Sequence, residues 1–305
     1  MKKIAIEEHV NERDLKRLDE RLRDMDEAGI DRQVLSFFVH YDERLGISGA
    51  VSMAKKANDR LAKAIERYPE RFSAFASVAL QDPDAAANEL ERAVKQLGFK
   101  GTMIPMNHER EGYLDEKKYW VLFEMAEKLD VPIYMHPGAL APSMMEPYLT
   151  YPVLSRAMWA FGAEAGLHAM RLICCGVFDE YPGLKIMLGH MGEGIPYFLW
   201  RIDNRWLKEK DGQPGAWEAD PIGGKLKKKP SQYFKENFYV TTSGMFWHPV
   251  LQFVCSVLGA ERVLFAADYP PESAMEAAQF IESAPISDSD KAKVCHLNAE
   301  KLLRL

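Results

Sequence analysis

The fold is indicated most clearly by residues 181–194, which read YPGLKIMLGHMGEG. The apolar run at 186–188 predicts a short buried strand, and three glycines surround the histidine and the glutamate that follow it. Glycine lets the backbone turn sharply where a strand gives way to a helix. Polar side chains just past the C-terminal end of a buried strand are where α/β enzymes place their chemistry. His190 and Glu193 are therefore candidate functional residues, and we expect them to share one helical face if a helix begins at once.

The same order of strand and helix is repeated along the whole chain. Short apolar runs predict strands at residues 4–6, 31–38, 72–78, 100–104, 131–136, 184–188, 238–242 and 263–266. Amphipathic patterns, such as those at 12–28 and 83–97, predict helices between them. Eight strands alternating with helices, without a repeat or a linker, predict a (β/α)8 barrel that occupies residues 1–305 as a single domain. A doubly wound α/β sheet is the structural alternative.

Composition excludes several classes of partner. The 305 residues are 47% hydrophobic and carry a formal net charge of -6, a size that single-domain α/β barrels commonly reach. The mild acidity argues against nucleic acid, and we interpret the lysine-rich run at 225–229 as a solvated loop. No run approaches the length of a membrane span, and acidic residues follow Lys2 and Lys3 before any signal-peptide core could form. A cytoplasmic protein without a membrane partner is expected.

Four of the predicted strands end in residues of the types that serve as metal ligands. The first strand ends in Glu7-Glu8-His9, the fifth in His136, the sixth in His190, and the eighth is followed by Asp268. Because side chains alternate along a strand, Glu7 and His9 point the same way and Glu8 points oppositely. A Glu-x-His pair, with one more histidine and an aspartate from other strand ends, is a nitrogen and oxygen ligand set. Such a set suits Zn²⁺, Mn²⁺ or Mg²⁺.

Several motifs of the chain are similar to those of the amidohydrolase superfamily. They are EEH at 7–9, FASVALQDP at 75–83, LGFKG at 97–101, MHP at 135–137, LGHMGEG at 188–194 and FAADYP at 265–270. More narrowly, the chain resembles the non-oxidative hydroxybenzoate decarboxylases that act on γ-resorcylate, 2,3-dihydroxybenzoate or 5-carboxyvanillate. The likeness extends over nearly the whole chain.

The resemblance implies a metal-dependent decarboxylation of an ortho-hydroxylated aromatic acid. One divalent ion, Mn²⁺ or Zn²⁺ with Mg²⁺ as a further option, would be held by Glu7, His9, His136 and Asp268. Glu7 stands where hydrolytic amidohydrolases carry a first histidine, a departure typical of the aromatic-acid decarboxylases. A carboxylate ligand makes the site harder, which suits Mn²⁺ or Mg²⁺ at least as well as Zn²⁺.

The resemblance also implies roles for the catalytic side chains. Asp268 would deliver a proton to the ring carbon that bears the carboxylate, and His190 would shuttle that proton. Glu193 would orient the imidazole and raise its basicity, as carboxylates behind a functional histidine do. Arg201, about two helical turns after Glu193, could bind the substrate carboxylate in a bidentate manner or form a surface ion pair.

Some expectations stay open on the sequence alone. A lactonase-type metal hydrolase on the same barrel is the alternative function, in which Asp268 would activate metal-bound water. The partner expected is a small aromatic carboxylate, and a homodimer or homotetramer is expected by family analogy. Arg44 and Arg110 are candidates for a further substrate contact. Four aromatic residues are candidates for the walls around a flat ring, although a core position is more typical of each: Trp159, Phe161, Trp200 and Phe246.

Overall fold

The computed structural model describes residues 1–37, 39, 46–106, 112–210 and 226–305. The loop arginines Arg44 and Arg110, considered above for substrate contacts, lie outside the described residues, as do His40 and His108. Within the described ranges, no helix is both long enough and apolar enough to span a lipid bilayer.

The described chain contains eight strands that pair in parallel with their sequence neighbours. β1, β2 and β3 form one hydrogen-bonded group, and β4 to β8 form a second. The strands are β1 (Ile4–Val10), β2 (Arg32–Phe37), β3 (Phe72–Phe75), β4 (Thr102–Met106), β5 (Ile133–Pro137), β6 (Ile186–Leu188), β7 (Phe238–Thr241) and β8 (Val263–Leu264). Each lies at a position that the apolar runs predicted, with ends that differ by a few residues.

Backbone hydrogen bonds connect the two groups of strands at both seams. Between β3 and β4, the Ala76 N–H donates to Gly101 O at 2.8 Å and Met103 N–H donates to Ala76 O at 3.1 Å. Between β8 and β1, the Ile6 N–H donates to Phe265 O at 3.2 Å. The sheet therefore closes on itself, which confirms the (β/α)8 barrel and excludes the open doubly wound sheet.

Helices follow the strands and form the outer layer. They are α1 (Glu12–Leu15), α2 (Leu18–Ala28), α3 (Gly46–Ile65), α4 (Pro83–Leu97), α5 (Trp120–Leu129), α6 (Ala160–Cys174), α7 (Val177–Glu180), α8 (Ile195–Lys210), α9 (Pro230–Asn237), α10 (His248–Leu258), α11 (Ala274–Glu282), α12 (Asp288–Ala292) and α13 (Asn298–Leu303). The bounds of α4 are those predicted, because Asp82 caps its start, Pro83 occupies its first turn and Gly98 ends it in a left-handed conformation. The single helix predicted at 12–28 is instead divided into α1 and α2.

The interior of the barrel is filled with apolar side chains below the strand ends. This inner cluster takes side chains from nearly every strand and from α13: Ile4, Ile6, Val34, Phe75, Met103, Tyr134, Met187, Leu264, Ala299, Leu302 and Leu303. A packed interior leaves the C-terminal ends of the strands as the place for polar groups. A second and larger apolar cluster lies between the barrel and the helices.

Candidate metal centre

Four potential ligands converge at the C-terminal ends of the strands. Glu7 and His9 come from β1, His136 from β5, and Asp268 from the segment after β8. Each offers one ligand atom, and these atoms all lie within 4.8 Å of one another. His9 Nε2 is 2.9 Å from Asp268 Oδ1, and His136 Nε2 is 3.3 Å from Glu7 Oε1. Side chains from distant parts of the sequence are thus brought together by the barrel.

An irregularity in β1 aims its two ligands at this point. Ile4 and Ile6 face the barrel interior, so strict alternation would place Glu8 on the inner side as well. The pairing of β1 with β2 shifts its register between Ala5 and Glu8. Such a shift reverses the alternation, so that Glu7 faces the site and Glu8 faces outward.

The carboxylate of Glu7 is fully buried, and its two oxygens have different surroundings. Oε2 accepts hydrogen bonds from the Tyr134 hydroxyl and, at 3.0 Å, from Thr241 Oγ1. Oε1 has no hydrogen-bond partner among the described residues and faces His136. Burial raises the pKa of Glu7 to about 8, because a carboxylate is costly to ionise away from water. A cation beside Oε1 would stabilise the ionised carboxylate.

The hydrogen bond made by His136 determines which of its nitrogens faces the site. Its Nδ1 lies 2.7 Å from the carbonyl oxygen of Pro137, which can only accept, so Nδ1 carries the proton. Nε2 is then the nitrogen that carries the lone pair, and it points toward Glu7. Burial, followed by the nearby His9, holds the pKa of His136 well below its usual value. A buried neutral imidazole oriented by a carbonyl is the form in which histidine binds metals.

Asp268 lies between two imidazoles and has an unusual backbone. Its φ is 66°, in the left-handed region, and its N–H donates to Glu7 O at 3.0 Å. Oδ1 contacts His9, and Oδ2 lies 3.7 Å from His190 Nε2. Burial alone would raise the pKa of Asp268, but the imidazoles of His190 and His9 hold it well below its usual value. The carboxylate is therefore ionised in the folded protein.

His190 and Glu193 are joined, but not by a helix. His190 Nδ1 is 2.7 Å from Glu193 Oε1, whereas α8 begins only at Ile195. The expectation that the pair shares a helical face is wrong, because His190, Met191 and Glu193 all have positive φ in a tight turn. Burial opposes protonation of His190, yet Glu193 and Asp268 outweigh it and hold the pKa of His190 well above its usual value.

Glycines leave room around the ligand cluster. A Cβ on Gly189 would lie 3.2 Å from both carboxylate oxygens of Glu7, and one on Gly244 would lie 3.1 Å from His190 Cδ2. The hydroxyls of Tyr134 and Thr241 were not assigned a function from the sequence, since a hydroxyl on a buried strand gives no pattern that separates it from core packing. Two imidazole nitrogens and two carboxylate oxygens, one of them the buried Oε1 of Glu7, make the site suitable for a divalent cation.

The arginine and two of the aromatic residues that were predicted to contact the substrate are exposed to solvent. Arg201 is exposed on α8 and, among the described residues, forms no ion pair with the cluster. Trp159 and Trp200 are also exposed, so the expectation of core positions is wrong for both. Phe246 is half-buried against the large apolar cluster.

The comparisons with known proteins agree with this architecture. The family described as amidohydrolase matches residues 6–305. The chain belongs to the amidohydrolase family. The resemblance of its motifs to amidohydrolases is thus confirmed.

Several of the proteins that the chain is similar to are named as decarboxylases. The chain is 41% identical over 295 residues to a gamma-resorcylate decarboxylase of Polaromonas sp., covering 94% of this chain and 87% of that protein. A dihydroxybenzoic acid decarboxylase from Polaromonas sp. JS666, solved with bound manganese and the inhibitor 2-nitroresorcinol, matches with a TM-score of 0.88 at 38% identity, over 100% of this chain and 97% of that one. A 5-carboxyvanillate decarboxylase from Sphingomonas paucimobilis matches with a TM-score of 0.89 at 33% identity, over 100% and 99%.

Proposed function

We propose that this amidohydrolase is a metal-dependent, non-oxidative decarboxylase of an ortho-hydroxylated aromatic acid. The observation that carries the proposal is the convergence of Glu7, His9, His136 and Asp268, with His190 beside Asp268, at the strand ends of the barrel. The relatives named as decarboxylases support it. γ-Resorcylate is the substrate we favour, because the gamma-resorcylate decarboxylase is 41% identical whereas the 5-carboxyvanillate enzyme is 33% identical.

The ion would be held by Glu7, His9, His136 and Asp268. When bound, it supplies Lewis acidity that favours the phenolate of an ortho-hydroxy acid. We propose Mn²⁺ as the ion, with Zn²⁺ as the competitor and Mg²⁺ as a weaker candidate. Two carboxylates harden the site, and the dihydroxybenzoic acid decarboxylase contains manganese.

The reaction replaces the carboxylate of the substrate by a proton. The ring carbon that bears the carboxylate receives a proton, the bond to the carboxylate carbon then breaks, and its electron pair returns to the ring as CO₂ leaves. The ortho oxygen assists by donating electron density to that carbon. What the protein must supply is therefore one proton at one carbon, with bulk water kept from competing.

Asp268 and His190 are suited to supply this proton together. Asp268 is ionised in the folded protein, so it must first receive a proton before it can act as an acid. The protonated imidazole of His190 lies 3.7 Å from Asp268 Oδ2, and Glu193 orients that imidazole from the other side. The substrate hydroxyl is a second source of the proton. In this scheme His190 transfers its proton to Asp268, and Asp268 transfers it to the ring carbon.

The substrate carboxylate requires a positive partner, and the assignment of Arg201 stays a prediction. Its side chain is exposed on α8, so a direct contact would require approach from the solvent side. Replacing Arg201 by methionine and by lysine would separate loss of charge from loss of the bidentate fork. A rise in KM that is larger for methionine than for lysine supports carboxylate binding, and unchanged kinetics in both variants contradict it.

We also propose that the chain forms a homodimer or homotetramer. Large apolar side chains are exposed on α8 and α10, where the rings of Tyr197 and Phe253 lie 6.4 Å apart between centroids. Trp200 on α8 is 77% exposed, and Trp247 precedes α10. Exposed apolar side chains that gather on neighbouring helices are typical of protein interfaces.

The deciding experiment measures CO₂ release from γ-resorcylate, other ortho-hydroxybenzoates and 5-carboxyvanillate. Metal-free protein is reconstituted with Mn²⁺, Zn²⁺ or Mg²⁺, and wild type is compared with Asp268→Asn and His190→Asn. Metal-dependent release that both variants lose is the expected result. Turnover of lactones, with no CO₂ from any acid, would instead make Asp268 a base for water and the protein a lactonase-type hydrolase.

A further inference from the structure

A second buried carboxylate, Glu8, lies directly behind the candidate metal centre. It is fully buried, and its two oxygens face Gln33 on β2 and the Ala267 N–H. The decarboxylation scheme gives it no role. A carboxylate at this depth is costly unless its oxygens accept hydrogen bonds, so its partners show what it does.

Two hydrogen bonds reach the carboxyl group of Glu8, and a third extends the network from Gln33 to Arg21. The Ala267 N–H donates to Glu8 Oε1 at 2.9 Å, and Gln33 Nε2 donates to Glu8 Oε2 at 3.1 Å. Arg21 Nη1 then donates to Gln33 Oε1 at 2.9 Å. A guanidinium only donates, so the Gln33 amide must turn its oxygen to Arg21 and its nitrogen to Glu8.

Arg21, at the far end of this series of hydrogen bonds, contacts the backbone of a proposed metal ligand. Arg21 Nη2 donates to the carbonyl oxygen of His9, and its guanidinium lies 4.6 Å from the centre of the Tyr269 ring. The His9 N–H donates to Tyr269 O at 2.8 Å, and the Asp268 N–H donates to Glu7 O. The chain therefore contacts the backbone on both sides of the seam where β1 meets the segment that carries Asp268.

This seam contains the strained part of the site. Asp268 has a left-handed backbone, a strained conformation that a residue with a side chain keeps only where its surroundings enforce it. Glu8 holds the N–H of the preceding residue, Ala267, and Arg21 packs against the following one, Tyr269. The conformation of Asp268 is thus constrained from both neighbours by groups that belong to one buried network.

We propose that Glu8, Gln33 and Arg21 are positioning residues that set the affinity of the site for its divalent ion by holding Asp268 and His9 in register. The proposal rests on the proposed metal centre. Residues behind a metal ligand typically change affinity or activity by about 10–100-fold when they are altered. Arg21 also links α2 to the strand ends, so that helix becomes part of the support of the site.

The test exchanges the two middle members of the chain. In Glu8→Gln the new amide has one oxygen, so it can accept from Ala267 or from Gln33 but not from both, and its nitrogen faces the other donor. In Gln33→Glu two carboxyl groups face each other. In the double variant E8Q/Q33E, the amide at position 8 donates to the carboxylate at position 33, and that carboxylate still accepts from Arg21. The total charge and the number of hydrogen bonds are those of wild type.

Mn²⁺ affinity is measured by calorimetry on metal-free protein, beside kcat, KM and thermal stability. We expect each single variant to weaken Mn²⁺ binding by about 10-fold or more. We also expect kcat to fall more than KM changes, and the double variant to recover most of both losses. Because binding is measured without substrate, a wild type that binds Mn²⁺ but releases no CO₂ would reject the proposed function and leave this inference standing.

Glu89 provides a matched control. It is buried, accepts from Asn58 Nδ2 at 2.7 Å and pairs with Arg92 at 2.8 Å, without contact to a proposed ligand. Glu89→Gln is expected to lower stability and leave Mn²⁺ affinity unchanged. If Glu8→Gln behaves in the same way, or if the double variant is no better than the singles, the positioning role is rejected. Should Glu8→Gln not fold, Arg21→Lys, which keeps the charge but loses the fork, is judged by the same affinity measurement.

Discussion

His190 and Glu193 are held side by side by a left-handed turn, with His190 Nδ1 2.7 Å from Glu193 Oε1. The side chain of Glu193 is almost fully buried, whereas the other face of the imidazole points toward Asp268. A buried carboxylate on one side and a second carboxylate on the other keep this histidine protonated. The protonated imidazole therefore holds a proton beside Asp268 Oδ2, the atom that must receive it in the proposed scheme.

We expect Glu193→Gln to lower kcat by about 10–100-fold with a smaller change in KM, because the imidazole loses the charge that orients it and supports its protonation. The amide oxygen of the new side chain still accepts from Nδ1, so the fold around the turn is kept. Steady-state CO₂ release measures the effect, and Glu180→Gln, at an exposed position at the end of α7, is the control. Equal rates for Glu193→Gln and wild type would mean that His190 needs no carboxylate behind it.

Gly162 on helix α6 leaves space for the side chain of Glu193, so a substitution there can displace the carboxylate without removing it. A Cβ at Gly162 would lie 3.0 Å from Glu193 Oε2, so Gly162→Ala moves the carboxylate by a few tenths of an ångström. Since a 1 Å misplacement can cost about 100-fold, we expect kcat to fall roughly threefold to tenfold. Alanine favours the helix over glycine, so we expect thermal stability to be unchanged or higher. A parallel loss of stability and rate would point to general damage.

The sequence predicted the parts of the site that depend on the strand ends. Carboxyl ends of parallel strands meet at one edge, so Glu7, His9, His136 and Asp268 could be grouped once the eight strands were recognised. The resemblance to amidohydrolases then separated His136 from His190. The grouping depends on the order of the strands and the separation depends on the family motifs, and both are readable from the sequence.

Other features depend on contacts that no local pattern contains. The register shift in β1 that turns Glu7 inward is visible only from the pairing with β2. The left-handed turn at His190 places Glu193 by backbone conformation, although the glycines around it also permit a helix start. The exposure of Trp200 depends on which surfaces the barrel leaves uncovered.

The hydroxyl of Tyr134 should matter for metal binding, although it contacts Oε2 of Glu7 and not Oε1, the oxygen that faces the proposed ion. It donates to Glu7 Oε2 and leaves Oε1 directed at His136. We expect Tyr134→Phe to weaken Mn²⁺ binding by about 10-fold while the ring keeps its packing. Tyr233→Phe is the matched control, because it removes a hydroxyl from Asp179 far from the strand ends. Equal Mn²⁺ affinities in the two variants would show that the hydroxyl has only a packing role.

The exposed aromatic surface on α8 predicts an effect on assembly. We expect Trp200→Ser to shift the protein toward smaller species, because it removes a large apolar side chain from the proposed interface. Size-exclusion chromatography with light scattering across a range of concentrations measures the distribution. Met275→Ser, on the exposed side of α11, is the control for loss of an exposed apolar side chain. A wild type that is monomeric at all concentrations would contradict the proposed homo-oligomer.

Removing the divalent ion should lower the thermal stability of the folded chain. The cluster brings the carboxylates of Glu7 and Asp268 into a buried space, and an ion bound only by the folded state stabilises it by about 2.7 kcal/mol at 100 times its Kd. We expect Tm to fall when the ion is chelated and to rise again when Mn²⁺ is added. Asp268→Asn should lose most of this response, because the amide neither balances the ion's charge nor binds it as strongly. A response of the variant equal to that of wild type would place the ion away from Asp268.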